Sequence, residues 1–344
     1  MNLEWWKKFT KLFQPRITTL VGVDFGHGAV KVAEVSLAKD KPHLRTLAIV
    51  EAPIMDDGDA TIELSKEQVL SVSPEVLKEM LTRALSLSGV KAKHAVLAVG
   101  GELSFMREIN FPKLPPEELA EAIKWDLPKY VPYPEDSYEY DYSITGYDAA
   151  TGDLRVLVVA APKDVVQQLT QVVRDAGLVP LAVEIESMAL YRTMMQADNS
   201  MVLDVGSANT QISLFQKGHP IFNRVVQGGY LETTTSDGSA EEQEAEKAAN
   251  LENVLNELVQ EVRRTAQFFT QQKNQGTIDK VIVTGAVELD KFVELLKAKL
   301  DLPVVAHNPL AGLTVKRSIV GSYARKVGPQ LAVAIGLAMR GDEP

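Results

Sequence analysis

Residues 21–32, VGVDFGHGAVKV, and residues 202–215, VLDVGSANTQISLF, carry one pattern twice: an apolar strand, an Asp, one further residue, a Gly, a short loop of small residues and a second strand. The two carboxylates, Asp24 and Asp204, stand 180 positions apart. In each copy the strand delivers its Asp into a turn that glycine opens, so backbone N–H groups can face phosphate oxygens while the carboxylate holds a hydrated Mg²⁺. One Asp-x-Gly after a strand says little, because Gly turns after Asp are common in α/β proteins. Two in matching context predict a duplicated α/β fold whose turns face each other across a nucleotide's phosphates.

Composition narrows the classes further. A chain of 344 residues with 45% hydrophobic and 24% charged residues is globular and long enough for two domains. A formal net charge of -10 argues against nucleic acid as a partner, since phosphate neutralisation needs a basic surface. The absence of cysteine excludes disulfides, thiolate metal sites and cysteine nucleophiles. The five histidines are scattered without ligand spacing, and no apolar run reaches the ~18 residues needed to span a bilayer. The expected location is the cytoplasm.

Residues 1–16, MNLEWWKKFTKLFQPR, read as a separate amphipathic segment with Trp5, Trp6, Phe9 and Phe13 among three lysines. It is either a helix docked on protein or an interfacial helix, for which aromatics beside lysines suit a headgroup boundary. Residues 17–101 form the first part of one half: strand, turn, two further strands, and an amphipathic helix between Ser73–Pro74 and Gly89 carrying Val76, Leu77, Met80, Leu81, Ala84 and Leu85. Residues 102–180 read as an inserted α+β domain, including a helix from Lys163 to Ala176, and residues 181–200 return to the first half. The aromatic, proline-rich stretch from Trp125 to Tyr133 suits either a binding ledge or a small-domain core. The second half is placed at 201–327 and contains a mobile acidic loop at 232–250, which has almost no large apolar residue. A stripe from Leu251 to Phe269 has the spacing of a core-packing helix, and a C-terminal helix lies within 328–344.

DFGHGAVK, FPKLPPEELAEAIKWDLPKYVPY, RDAGLVPLAVEIES, LDVGSANTQISLF, VQGG, QEVRRTAQFF, NPLAGLTV and AIGLAMR, read in order, resemble the PilM family, the actin-like assembly proteins of type IV pilus machines. The likeness runs from about Val21 to Arg340. It implies an actin-like (ASKHA) duplicated α/β fold, with a small domain inserted in the first half as in the cell-division protein FtsA, and here a reduced fourth subdomain. Carried over by motif, Asp24, Gly26, His27, Gly28 and Lys31 form the first phosphate turn, and Asp204, Gly206, Asn209 and Thr210 the second. Gly228, Gly229 and Gly285 complete the nucleotide site, with Asp24 and Asp204 holding Mg²⁺ through water. The implied partner is the N-terminal cytoplasmic peptide of PilN, a bitopic membrane protein, with further links to the pilus platform and motor and a position peripheral to the inner membrane. The peptide groove is expected where the inserted domain meets the first half, lined by Phe111, Tyr130, Val131 and Tyr133.

Three departures from the family pattern imply weak, altered or lost ATP binding. His27 stands where the family usually has Ser. The ribose-holding Ala-Glu-x-x-Lys segment lacks its lysine in both AEEQE and AEKAA, from Ala240 and Ala245. Gly285 is followed by Ala286 and Val287 where a glycine run is expected. The readings are therefore a scaffold that is at most a weak ATPase, an active ATPase of the same family, or a small-molecule kinase of the actin-like superfamily. The last needs a base between the halves, and no strand-end carboxylate stands out as one.

Overall fold

The computed structural model describes residues 17–37, 41–52, 72–148, 150–194, 199–216, 218–227, 229, 240–271, 277–285, 289–316, 319 and 326–341. The first half runs β1 (Thr19–Gly26), β2 (Ala29–Ser36), β3 (His43–Glu51), α1 (Pro74–Ser88) and β4 (His94–Val99). After a 3-10 turn at Gly101–Leu103 come β5 (Phe105–Phe111), α2 (Pro116–Asp126), β6 (Tyr138–Tyr147) and β7 (Leu154–Pro162), then α3 (Lys163–Asp175), β8 (Val179–Ile185) and α4 (Glu186–Thr193). The second half holds β9 (Ser200–Val205), β10 (Asn209–Gln216), β11 (His219–Gln227), α5 (Ala240–Gln271), β12 (Lys280–Gly285), α6 (Leu289–Lys297) and β13 (Val304–Ala306). β14 (Thr314–Val315) and α7 (Ala332–Ala338) close the chain.

The sequence duplication is a duplication of topology. One sheet has the order β14-β3-β2-β1-β4-β8 and the other β11-β10-β9-β12-β13. In both, an antiparallel meander of three strands is followed by two parallel ones. Strands such as TLVGVDFG and SMVLDV are nearly continuous in apolar residues because helices cover both faces of each sheet. α1 and α3 pack on one face of the first sheet, α5 and α6 on one face of the second. Leu20, Val96, Val202, Phe215, Ile282 and the α4 and α7 residues Leu190 and Leu337 form the shared core between them. Helix α1 begins where the sequence reading puts it, with Ser73 Oγ accepting from the Val76 N–H at 3.4 Å and Gly89 at φ +64° ending it.

Three boundaries differ from the sequence reading. The inserted domain ends at Pro162, because α3 is the crossover helix that the parallel pair β4–β8 requires, and its Val165, Leu169, Val172 and Val173 lie in the first half's core. The insertion proper is the three-stranded sheet β5-β7-β6 with α2 on one face. Residues 240–250, read as part of an acidic loop, are the first turns of the 32-residue α5, since Ala, Glu, Gln and Lys are strong helix formers even without an apolar stripe. Residues 314–315, assigned to the second half, pair as β14 with His43 and Leu44 of β3 and so extend the first sheet. Residues 1–16 with Trp5, Trp6, Phe9 and Phe13, residue Gly228 and residues 231–239 lie outside the described residues, as does most of the interval where a reduced fourth subdomain is expected. No helix among the described residues is long and apolar enough to cross a membrane.

Candidate functional site

Asp24 is the sixth residue of β1 and lies opposite Lys31 of β2 in the hairpin register, which brings Lys31 Nζ to 3.2 Å from its Oδ2. Gly26 sits beneath that pair, where a Cβ would approach the Lys31 Nζ to 3.1 Å, and Gly28 takes φ +80° at the turn. In the second copy Asp204 of β9 lies opposite Gln211 of β10, and the Gly206 N–H closes the turn on the Asn209 carbonyl at 2.8 Å. The backbone of Gly229 rests on this turn, so that a Cβ there would sit 2.3 Å from the Ser207 carbonyl. The two turns touch directly. Ser207 Oγ donates to the His27 carbonyl at 2.9 Å, and Asn209 Nδ2 donates to Glu102 Oε1 at 2.5 Å.

A third carboxylate joins the two Asp residues. Glu186 opens α4 at the end of β8, and its Oε2 accepts from the Gly101 N–H at 3.0 Å. Burial, followed by the charges of Asp24 and Asp204, pushes the Glu186 carboxyl up to about 8. Burial likewise raises Asp204 to about 6, with Lys31 opposing the shift and Asp24 adding to it. For Lys31, burial works against the charge, yet Asp24, Asp204 and Glu186 outweigh it and the ammonium is held above its ordinary range. One cation therefore faces three acidic groups. Two buried polar atoms beside them, Gln211 Oε1 and Ser187 Oγ, have no protein partner.

Asp24, Gly26, His27, Gly28, Lys31, Asp204, Gly206 and Asn209 thus converge, as the sequence implies. Thr210 follows Asn209 in β10, fully buried and paired with Val205 and Val226. Gly285 adopts φ +114° with its Cα against β9, where a Cβ would meet the Val205 carbonyl at 2.2 Å, so strand packing already requires glycine there. Of the residues read as a peptide groove, Phe111 and Val131 are buried in the insertion's core, and Tyr130 and Tyr133 are half-buried against the same core. Tyr133 Oη donates to the Leu103 carbonyl at 3.1 Å, and Tyr130 lies under the Arg107 guanidinium at 4.9 Å. Glu186 went unrecognised in the sequence, although VEIES does place a carboxylate where a strand becomes a helix. Glu102 and Gln211 carried no comparable signal.

A family model described as type IV pilus assembly protein PilM matches residues 22–342. Among solved structures, the chain is similar to one from a PilM-PilN type IV pilus biogenesis complex, with 25% identity and a TM-score of 0.78 over 96% of this chain and 100% of that one. It also aligns with ethanolamine utilization protein EutJ from Carboxydothermus hydrogenoformans, at 16% identity and a TM-score of 0.49 over 95% and 90% of the two chains. A third match is the cytoplasmic domain of EpsL, an inner membrane component of the type II secretion system of Vibrio cholerae, at 8% identity and a TM-score of 0.47 over 90% and 92%. The fold is the actin-like one.

Proposed function

The chain belongs to the PilM family of type IV pilus assembly proteins, and on that premise we propose that it is a cytoplasmic, actin-like scaffold of a type IV pilus or related inner-membrane platform. It captures the N-terminal cytoplasmic peptide of a PilN-like bitopic membrane protein, is held at the inner membrane by that contact, and connects it to platform and motor components. The observation that carries this reading is the likeness over nearly the whole length of both chains to a protein solved in a PilM-PilN complex. Titration calorimetry with a peptide of the cognate PilN-like tail tests it, with micromolar affinity expected, since an ordered short segment gives back much contact energy as entropy. Absence of binding removes the assignment.

The cleft fits the phosphate end of a Mg-nucleotide better than its adenosine end. Asp24 and Asp204 are placed to hold a hydrated divalent ion, Lys31 to balance phosphate charge, and the turns at 26–28 and 206–209 to present N–H groups. A bound Mg-nucleotide would supply the divalent charge and the transferable phosphoryl group. Gly285 is committed to packing on β9, and His27 replaces a small hydroxyl residue, so Mg-ATP should bind more weakly than in relatives with an intact adenosine loop. Submicromolar affinity lost in Asp24→Ala would contradict this. Glu186 favours a second reading as a weak ATPase, since it stands beside both Asp residues and, in the minority of molecules in which a carboxyl raised to about 8 is ionised near neutral pH, it can accept a proton from an attacking water. Loss of phosphate release in Glu186→Gln, with Mg-ATP binding retained, would support it.

A further inference from the structure

We propose that the base of the first half, the end of its sheet opposite the carboxylate cleft, docks on an anionic lipid bilayer. β1, β3, β4 and β8 run in one direction and carry Asp24 and Glu186 at or just beyond their far ends. Their first residues, Thr19, His43, His94 and Val179, therefore lie at the base, where the Val179 N–H donates to the Lys93 carbonyl at 2.7 Å. α1 and α3 return from the cleft end and finish at the same base, with Val90, Ala92, Ala176 and Leu178 packed against the core. The insertion departs from the opposite end, after Gly101–Leu103. A surface seated on the base leaves both the cleft and the insertion open.

The side chains presented at this base are apolar and basic. Leu87, in the last turn of α1, is 67% exposed, and Val179 and Leu181 of the edge strand β8 are 50% and 44% exposed. Lys41, Lys91, Lys93 and Arg174 are exposed along the same end, in a chain whose formal net charge is -10. The acids beside them are already engaged. Glu34 is buried, accepts from the Lys91 and Ala92 N–H groups at 2.6 and 3.1 Å and meets Arg45 at 3.4 Å, while Asp175 accepts from Gln171 Nε2 at 2.8 Å. Apolar side chains among cations match a headgroup boundary, where the former enter the acyl edge and the latter meet lipid phosphate. The sequence beyond β1 has the same character. Residues 1–16, with Trp5, Trp6, Phe9 and Phe13 among three lysines, join the fold through Ile17, which packs against the cluster that also takes Ala182 of β8. Folding that segment back onto the base would set lysines against lysines, whereas an anionic bilayer attracts both sets in one plane.

The test is co-sedimentation of the full-length protein with vesicles of mixed phosphatidylglycerol and phosphatidylcholine, and with vesicles of phosphatidylcholine alone. Binding is expected on the anionic vesicles, weaker by about tenfold or more on the neutral ones, and released as salt shortens the reach of the charges. Lys91→Glu with Lys93→Glu, and separately Leu87→Ser with Val179→Ser, change only exposed side chains. Each pair should weaken binding to anionic vesicles about tenfold while the melting temperature and the affinity for the PilN-like tail peptide stay at wild-type values. A failure here is thereby distinguished from a failure of the peptide-capture reading. Equal binding to neutral vesicles, or wild-type binding by both variants, overturns the proposal. So does the absence of vesicle binding by the wild type, and retention of polyglutamate by wild type but not by the lysine variant would then assign the base to an acidic protein.

Discussion

Glu186 shares its cavity with two further carboxylates and one lysine, and the balance among them fixes its proton affinity. Its carboxyl rises from 4.5 to about 8, so over that interval the folded chain holds a proton that the unfolded chain has released. Stability contributed at this site is therefore present at low pH and lost as pH rises toward 8, and Asp204, raised from 3.8 to about 6, acts in the same direction over a lower window. Glu186→Gln should flatten that slope, raising stability at pH 8 by on the order of 1–2 kcal/mol and barely changing it at pH 5. Urea unfolding at the two pH values measures the difference. An equal effect at both would mean that the carboxylate is solvated in the native state. Within this cluster of acid, Lys31 offsets the repulsion among the carboxylates.

At the scale of elements, the 3-10 turn Gly101–Leu103 is the joint on which the two halves and the insertion meet. Glu186 holds its first N–H, Asn209 its Glu102 side chain and Tyr133 its last carbonyl. Gly101 also lies so close to β10 that a Cβ would meet Gln211 Oε1. Glu102→Ala removes the bond to the turn after Asp204 without disturbing any core, so amide exchange in residues 207–209 should quicken while the melting temperature moves by no more than a degree or two, since one exposed hydrogen bond contributes about 1 kcal/mol or less. Unchanged exchange would show that the turn is held by other contacts. Strands, the α1 caps and the two Asp-Gly turns were legible from the sequence, because period-two burial and turn chemistry are local. The start of α5 was not, since a segment of Ala, Glu and Lys has no large apolar residue to mark a stripe yet still has the backbone preference of a helix.

For the molecule as a whole, the seam between the halves is built from α4, which follows β8, and α7, which comes after β13 and β14. α7 is pressed so tightly on its neighbours that glycine is needed twice: a Cβ on Gly336 would fall 1.8 Å from the Ala189 carbonyl of α4, and one on Gly22 of β1 would fall 1.8 Å from the Ala334 carbonyl. Glu184 of β8 is bonded by both Arg192 of α4 and Arg340 beyond α7, at 2.6 and 2.8 Å, tying the end of the chain to the first half. Gly336→Val should lower stability by about 3 kcal/mol, because backbone atoms rather than a flexible side chain oppose the added bulk. Thermal unfolding checks this, and a shift below one or two degrees would mean that α7 can move away from α4.

The sequence by itself determined that the fold is duplicated, which residues make the two Asp-x-Gly turns, and which family the chain resembles, because each is written in contiguous residues whose spacing acts through the local backbone. Only the tertiary structure decided that α3 belongs to the first half, that the chain returns through β14 and α7 to complete it, that Glu186 and Lys31 share one cavity, and that Phe111 and Val131 are interior while Tyr140 and Ile144 face outward. An aromatic residue on a strand has the same sequence signature on a core as on an edge. What separates the two is the neighbour that covers it, set by sheet order and by how far a helix such as α2 extends.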